Sequence, residues 1–239
     1  MKFNHLISFL CITYLFLPYS LQAANLRISP VSLDLTAPQR AAVVKLRNDS
    51  SVPTNVQARI FTWTQVDGKD RLTPAVNVVV SPPAVKVQPG ETYTIRVMRL
   101  DGSRKQPEES YRLWVDELPD INVHRRSTGV DMVARYSLPV FFSEFSAVSD
   151  LQWKVRKHGK NLQITATNTG TRHAKIANLI AAVGDKKVNL GNGLNGYVLA
   201  GSTMQWEAKA GKVKQGDQLT ITARGDDYAV KATAVVSGG

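Results

Sequence analysis

The sequence of 239 residues contains one cysteine, Cys11, and it lies in the leading segment. The rest of the chain can form no disulfide and offers no thiol for nucleophilic or redox chemistry. Histidine is nearly as scarce. Beyond the leader there are only His124, His158 and His173, with no two at metal-ligand spacing. A zinc site needs three or four clustered donors, so no metal is expected. Each histidine falls in a predicted turn and reads as an ordinary solvated side chain. There is no G-x-S-x-G elbow and no P-loop. Asp226 and Asp227 read as a turn rather than an acid/base pair. Gly191-Asn192-Gly193-Leu194-Asn195-Gly196 fits G-x-G-x-x-G, but strand and turn residues follow it. A dinucleotide site needs a helix there, whose N-terminus holds the pyrophosphate. No cofactor and no enzymatic activity are expected. Asn48-Asp49-Ser50 has the form of a glycosylation acceptor, but "NDSSVP" is explained by turn chemistry.

Long apolar runs are missing as well, with one exception. Leu6 to Leu17 is mostly apolar, Lys2 is the only charge before Arg27, and Ala23 and Ala24 are small. Residues 1–24 therefore read as a secretory signal, too short to span a bilayer comfortably; a retained N-terminal anchor is the alternative. No stable membrane insertion is expected of the remainder, which reads as exported. Export without disulfides is allowed, because a domain of roughly 100 residues can bury a sufficient core unaided.

Acidic residues are few against basic ones, and the formal net charge is +11. The basic residues look scattered, as in Lys45, Arg47, Arg59, Lys154, Arg156 and Lys175; Arg125-Arg126 is the nearest thing to a cluster. Scatter on strands is usually a solvated face. It argues against nucleic acid and fits the steering of an acidic protein partner.

What the chain does contain is strands. Leu26–Leu35, Ala41–Arg47, Thr54–Trp63, Val76–Val80, Thr92–Leu100, Tyr111–Leu118 and Val130–Phe142 are rich in Val, Ile, Thr and aromatics and bounded by turn signals. They predict an immunoglobulin-like sandwich over residues 25–142. A second set follows over 151–239: Leu151–Lys157, Asn161–Asn168, Lys175–Val183, Lys186–Leu190, Tyr197–Leu199, Thr203–Glu207, Gln218–Arg224 and Ala229–Val236. Residues 143–150 read as the hinge. The fold class expected is all-β, with two immunoglobulin-like sandwich domains.

The most telling stretch is Tyr111 to Phe142. Its second strand alternates Val130, Met132, Ala134, Tyr136 and Leu138 with Asp131, Arg135 and Ser137; only Val133 breaks the pattern. Period-2 alternation puts the five apolar side chains on one face. At a sheet edge such a strand offers apolar side chains together with unpaired backbone groups, which soluble proteins normally suppress. A protein that keeps such an edge has a use for it in pairing with a partner. The alternative is that the row packs inside the protein's own first domain.

These strings resemble a family. "LRNDSSVPTNVQARIFTW", "VVSPPAVKVQPGETYTIRV", "YRLWVDELP" with "VARYSLPVFF", and in the second half "NTGTRHAKIANL" and "GYVLAGSTMQWE" are similar, in order, to the periplasmic chaperones of chaperone–usher pilus assembly. "YRLWVDELP" and "RYSLPVFF" most resemble the archaic branch, which accompanies spore-coat-U-type subunits. The resemblance implies a boomerang of two sandwiches in the periplasm. It implies donor-strand complementation: the chaperone lends an edge strand to an incomplete pilus subunit until an outer-membrane usher receives it. Val130, Met132, Ala134 and Tyr136 would form the donor row, with Leu138 nearer the domain's own core. The better-known branch anchors the subunit's terminal carboxylate with two basic residues, and here those positions are Pro30 and Ser137. Arg27, Arg96, Arg99 and Arg135 lie near, and Arg99 and Arg135 are the candidate anchors. The competing reading is an exported two-domain immunoglobulin-like surface or adhesin component.

Overall fold

A computed structural model describes residues 26–100, 106–119, 133–184, 186–225 and 229–238. Val130, Met132, His124, Arg125, Arg126, Asp226 and Asp227 lie outside the described residues. The fold is all-β, in two immunoglobulin-like sandwiches.

The first sandwich holds β1 (Leu26–Ser29), β2 (Leu33–Thr36), β3 (Ala41–Asn48), β4 (Thr54–Val66), β5 (Lys69–Pro74), β6 (Val78–Ser81), β7 (Ala84–Val87), β8 (Thr92–Arg99), β9 (Glu108–Leu118) and β10 (Arg135–Ser143). One sheet has the order β1-β3-β8-β6; the other runs β2-β10-β9-β4-β5, with β7 also on β4. The stretch 26–35 is thus two strands rather than one. β1 pairs antiparallel with β3 in the first sheet, and β2 pairs parallel with β10 in the second. The chain changes sheets at Pro30, which has no N–H to give to a ladder. Alternation builds the core between the sheets. Val44 and Leu46, Ile95 and Val97, Leu113 and Val115, and Val140 and Phe142 point inward and are all buried. Fully burying side chains of this size is worth roughly 1.5–3 kcal/mol each in transfer terms.

The second sandwich holds β11 (Leu151–His158), β12 (Asn161–Asn168), β13 (Ala174–Val183), β14 (Lys186–Asn189), β15 (Leu194–Val198), β16 (Thr203–Lys209), β17 (Gln218–Arg224) and β18 (Ala229–Gly238). Its strands follow the order β14-β13-β17-β18-β11-β12-β16, with β15 on β13. A short parallel pair, Val155–Lys157 with Val236–Gly238, links the two halves of that order. The glycines of Gly191–Gly196 lead into β15, so the sequence string that fits a dinucleotide motif is strand and turn.

The two sandwiches share a turn device. Asn48 Oδ1 accepts the Ser50 N–H and its Nδ2 donates to the carbonyls of Val52 and Val87. Asn168 Oδ1 accepts the Gly170 N–H and its Nδ2 donates to Arg172 and Val198. Both asparagines are fully buried. A buried amide must find partners, and here each one closes the turn after a strand. Gly170 is required for closeness: a Cβ there would lie 2.4 Å from the Val148 carbonyl oxygen.

A third buried cluster, Trp63, Phe141, Tyr197 and Leu199, sits where the sandwiches meet. His173, far from being solvated, is buried against it. Its ring stacks on Phe141 at 3.5 Å and 8°. The fully buried Glu108 side chain accepts the His173 N–H at 2.6 Å and the Ser143 hydroxyl at 2.8 Å, and lies 2.9 Å from His173 Nδ1. The Gln65 amide donates to Tyr197 O and accepts from Leu199 N, both at 2.9 Å. Arg172 adds an ion pair to Asp34 at 2.6 Å. Ser143 ends β10 and Leu151 begins β11, so these contacts, not a continuous strand, set the angle between the sandwiches. Glu108→Ala should cost about 1–3 kcal/mol for each buried donor it leaves unpaired. Urea unfolding checks the stability loss, and small-angle scattering should show a wider spread of interdomain distances.

Candidate functional site

β10 is paired antiparallel with β9 along its whole length, Arg135↔Asp116 through Ser143↔Glu108. On its other side β2 covers only Val140 to Ser143. Among the described residues, the strand is therefore an open edge from Arg135 to Pro139. The register tells which backbone groups are left over. Glu117 N–H donates to Ala134 O at 3.0 Å. Ladder bonds alternate along an antiparallel pair, so the even positions bond β9 and Arg135 and Ser137 turn N–H and C=O outward. Pro139 has no N–H to offer, and the edge closes just beyond it.

The side chains divide by face. Tyr136 and Leu138 point into the first core. Leu138 is 3% exposed, so it serves that core and not a partner. Tyr136 is half-buried against it, and its hydroxyl donates to Leu26 O at 2.9 Å and lies 3.3 Å from Glu117 Oε1. Burial, with the Glu117 carboxylate beside it, pushes the Tyr136 phenol up to about 12. Ala134, next along the same row, is half-buried, and Val133 is exposed.

The other face of this sheet carries a row of cations on rings that the sequence reading missed. Arg135 is opposite Asp116, Ser137 opposite Trp114, and Pro139 opposite Arg112. The Arg135 guanidinium lies 4.2 Å from the Trp114 ring centre, and Phe61 packs on Trp114 at 4.5 Å. Arg135 Nε and Arg59 Nη2 both donate to Asp116 at 2.5 Å. Arg112 rests 3.6 Å above Trp63, which belongs to the interdomain cluster. Burial lowers the Arg112 pKa, and its nearest carboxylate, Asp70, is 3.9 Å away. A guanidinium keeps its charge in a protein, so Arg112 is a partly desolvated cation.

Arg99 does not belong to this site. β8 is in the opposite sheet, and the Arg99 side chain is 2% exposed. Its guanidinium is bidentate on Glu109, at 2.7 and 3.0 Å. Alternation along β8 points Arg99 inward, and an inward arginine needs a buried carboxylate. Arg96 faces outward on that same distant sheet, and Arg27 pairs with Asp49 at 2.8 Å. Pro30 and Ser137 are exposed and uncharged.

Residues 25–143 match the family model of pili and flagellar-assembly chaperones, PapD N-terminal domain. The chain belongs to this family of pilus chaperones. One similar solved structure is the CsuC–CsuE chaperone–tip subunit pre-assembly complex from the archaic Csu pili of Acinetobacter baumannii. It is 25% identical, with a TM-score of 0.68, over 90% of this chain and 100% of that one. The Salmonella enterica SafB chaperone in complex with SafA pilin shares the fold at 15% identity, TM-score 0.62, over 88% and 97% of the chains. The Pseudomonas aeruginosa CupB2 chaperone shares it at 19%, TM-score 0.55, over 87% and 97%. No curated protein matches this chain closely.

Beside the edge of β10, Asp116 fixes both Arg59 and Arg135. Burial acts to raise its pKa, but the hydrogen bonds and charges of Arg135 and Arg59 outweigh it and hold the carboxyl below its usual 3.8. A depressed folded-state pKa means stability that is present above the unfolded value and lost as pH falls through the folded one. Acid unfolding should therefore steepen below pH about 4, the ordinary carboxylate value, and Asp116→Asn should flatten that limb. Thermal melts of both proteins across the acid range measure it.

Proposed function

We propose that this chain is a periplasmic, nucleotide-independent chaperone that binds pilus subunits by donor-strand complementation and passes them to an outer-membrane usher. Residues 1–24 are its export signal, residues 25–142 and 151–239 its two working domains, and 143–150 the hinge. The observation that carries the reading is the open edge of β10. Over Arg135–Pro139 it has a partner strand on one side only, and the chain belongs to a family of pilus chaperones. An incomplete sandwich can fill that vacant side, with β10 supplying both ladder and side chains. The donor row is Val130, Met132 and Ala134, with Tyr136 at the boundary between donor row and own core. A charged side chain in that row would enter the subunit's apolar groove without a counter-charge.

A strand added to an edge needs a fixed register, because a one-residue slip reverses its faces. Arg135 and Arg112 lie beside the edge, opposite Asp116 and Pro139 of the same strand pair. We assign them the anchoring contact to a subunit carboxylate or carbonyl, in place of the uncharged Pro30 and Ser137. Removing each should cost about 1.5–3 kcal/mol of binding, the value of a charge-assisted bond.

Co-expression with its subunit should yield a 1:1 complex on size-exclusion chromatography and protect the subunit from proteolysis. Met132→Glu should abolish the complex and leave the melting temperature of the chaperone unchanged; a variant that unfolds would place the row in the chaperone's own core. Arg112→Ala with Arg135→Ala should lower complex yield while the free protein stays folded. If the double variant captures subunits as well as the parent does, apolar packing alone sets the register.

A further inference from the structure

The basic residues that look scattered in sequence are gathered by the second sandwich. β11 turns into β12 at His158–Asn161, β13 turns into β14 at Val183–Lys186, and β12 brings Asn161 opposite Lys209 at the end of β16. The chain after β16 then folds back over the same end: Ala210 N–H donates to Lys160 O at 2.8 Å, and Lys157 Nζ donates to Val213 O at 2.7 Å. Three separate turns thereby deliver Lys160, Lys186, Lys187, Lys209, Lys212 and Lys214 to one end, all exposed. Four of them, Lys186, Lys187, Lys209 and Lys212, line one open cavity of about 600 Å³.

Contacts with the first sandwich use the other end of these strands. His173 precedes β13, and Tyr197 and Leu199 close β15. The lysine pole is therefore the end of the second sandwich opposite its contacts with the first sandwich, which carries the open edge of β10. Among the described residues none of the six lysines is in an ion pair. The one described carboxylate in the loop, Asp217, is already used as acceptor of the Lys214 N–H at 2.8 Å.

We infer that this pole docks the protein on an anionic lipid surface. The residue type decides between lipid and protein. Buried protein interfaces are rich in arginine and aromatics and poor in lysine. Here the cations are all lysine, strongly hydrated point charges on flexible stems, and no exposed aromatic lies among the residues lining the cavity. A wet, lysine-only surface matches the diffuse attraction of basic segments to acidic headgroups, which acts within a Debye length and weakens with salt. Docked by this pole, the molecule would keep the open edge of β10 away from the lipid and free for capture.

The test uses residues 25–239, which contain both cores, and vesicles of phosphatidylcholine with or without phosphatidylglycerol. The protein should co-sediment with the anionic vesicles at low salt and not with neutral ones. Binding should weaken at least about tenfold on going to physiological salt. K186E/K187E/K209E/K212E should abolish it, with the melting temperature and subunit capture unchanged, so a failure here is separable from a failure of strand addition. K45E/R96E, on the outer face of the first domain, should bind vesicles like the parent. The inference is overturned if anionic vesicles are not bound at low salt, or if the pole variant binds as well as the parent. It is also overturned if only K45E/R96E loses binding.

Discussion

Among the described residues, β10 is hydrogen-bonded on both sides over Val140–Ser143 and on one side over Arg135–Pro139. That difference arises because β2 is four residues long and the chain leaves it for the other sheet at Pro30. Had β1 and β2 been one strand along β10, the edge would be filled and no partner could add to it. A sheet edge normally invites uncontrolled pairing. Here it is limited by its own ends, with Pro139 lacking a donor at one and the domain core holding Tyr136 and Leu138 in place.

The inner half of β10 is what allows the outer half to be useful. Leu138, Val140 and Phe142 anchor the strand in the first core, and Phe141, on the opposite face, reaches the cluster between the sandwiches. One strand therefore ties together the core, the interdomain contact and the open edge. Glu108 adds to this by holding Ser143 and His173 at once. A binding strand mounted on rigid supports loses little conformational freedom on pairing, which favours affinity.

Much of this was legible in the sequence, because alternation along a strand reports its faces directly. The inward row through Tyr136 and Leu138 and most strand positions of both sandwiches were readable in that way. Alternation does not say where a strand changes sheets, so β1 and β2 read as one. It does not say which sheet an arginine belongs to, so Arg99 looked available when it is buried on Glu109. β5 is polar and ends at Pro74, and β7 is only four residues long between Pro83 and Pro89, so neither gave a period-2 signal long enough to read. His173 sits in a turn by sequence and is buried only because the other sandwich covers it. The lysines of the distal end are spread from 160 to 214, and only the closing of three turns brings them together.

Backbone amide exchange at single-residue resolution, on the free protein and on its complex with a captured pilus subunit, tests the central claim most directly. If β10 lends its open edge, the amides of Arg135 and Ser137 exchange rapidly in the free protein and become protected in the complex. Those of Tyr136 and Leu138 stay protected in both, because they face β9. Amides of Arg135 and Ser137 that are already protected in the free protein, or that remain unprotected in the complex, would contradict it.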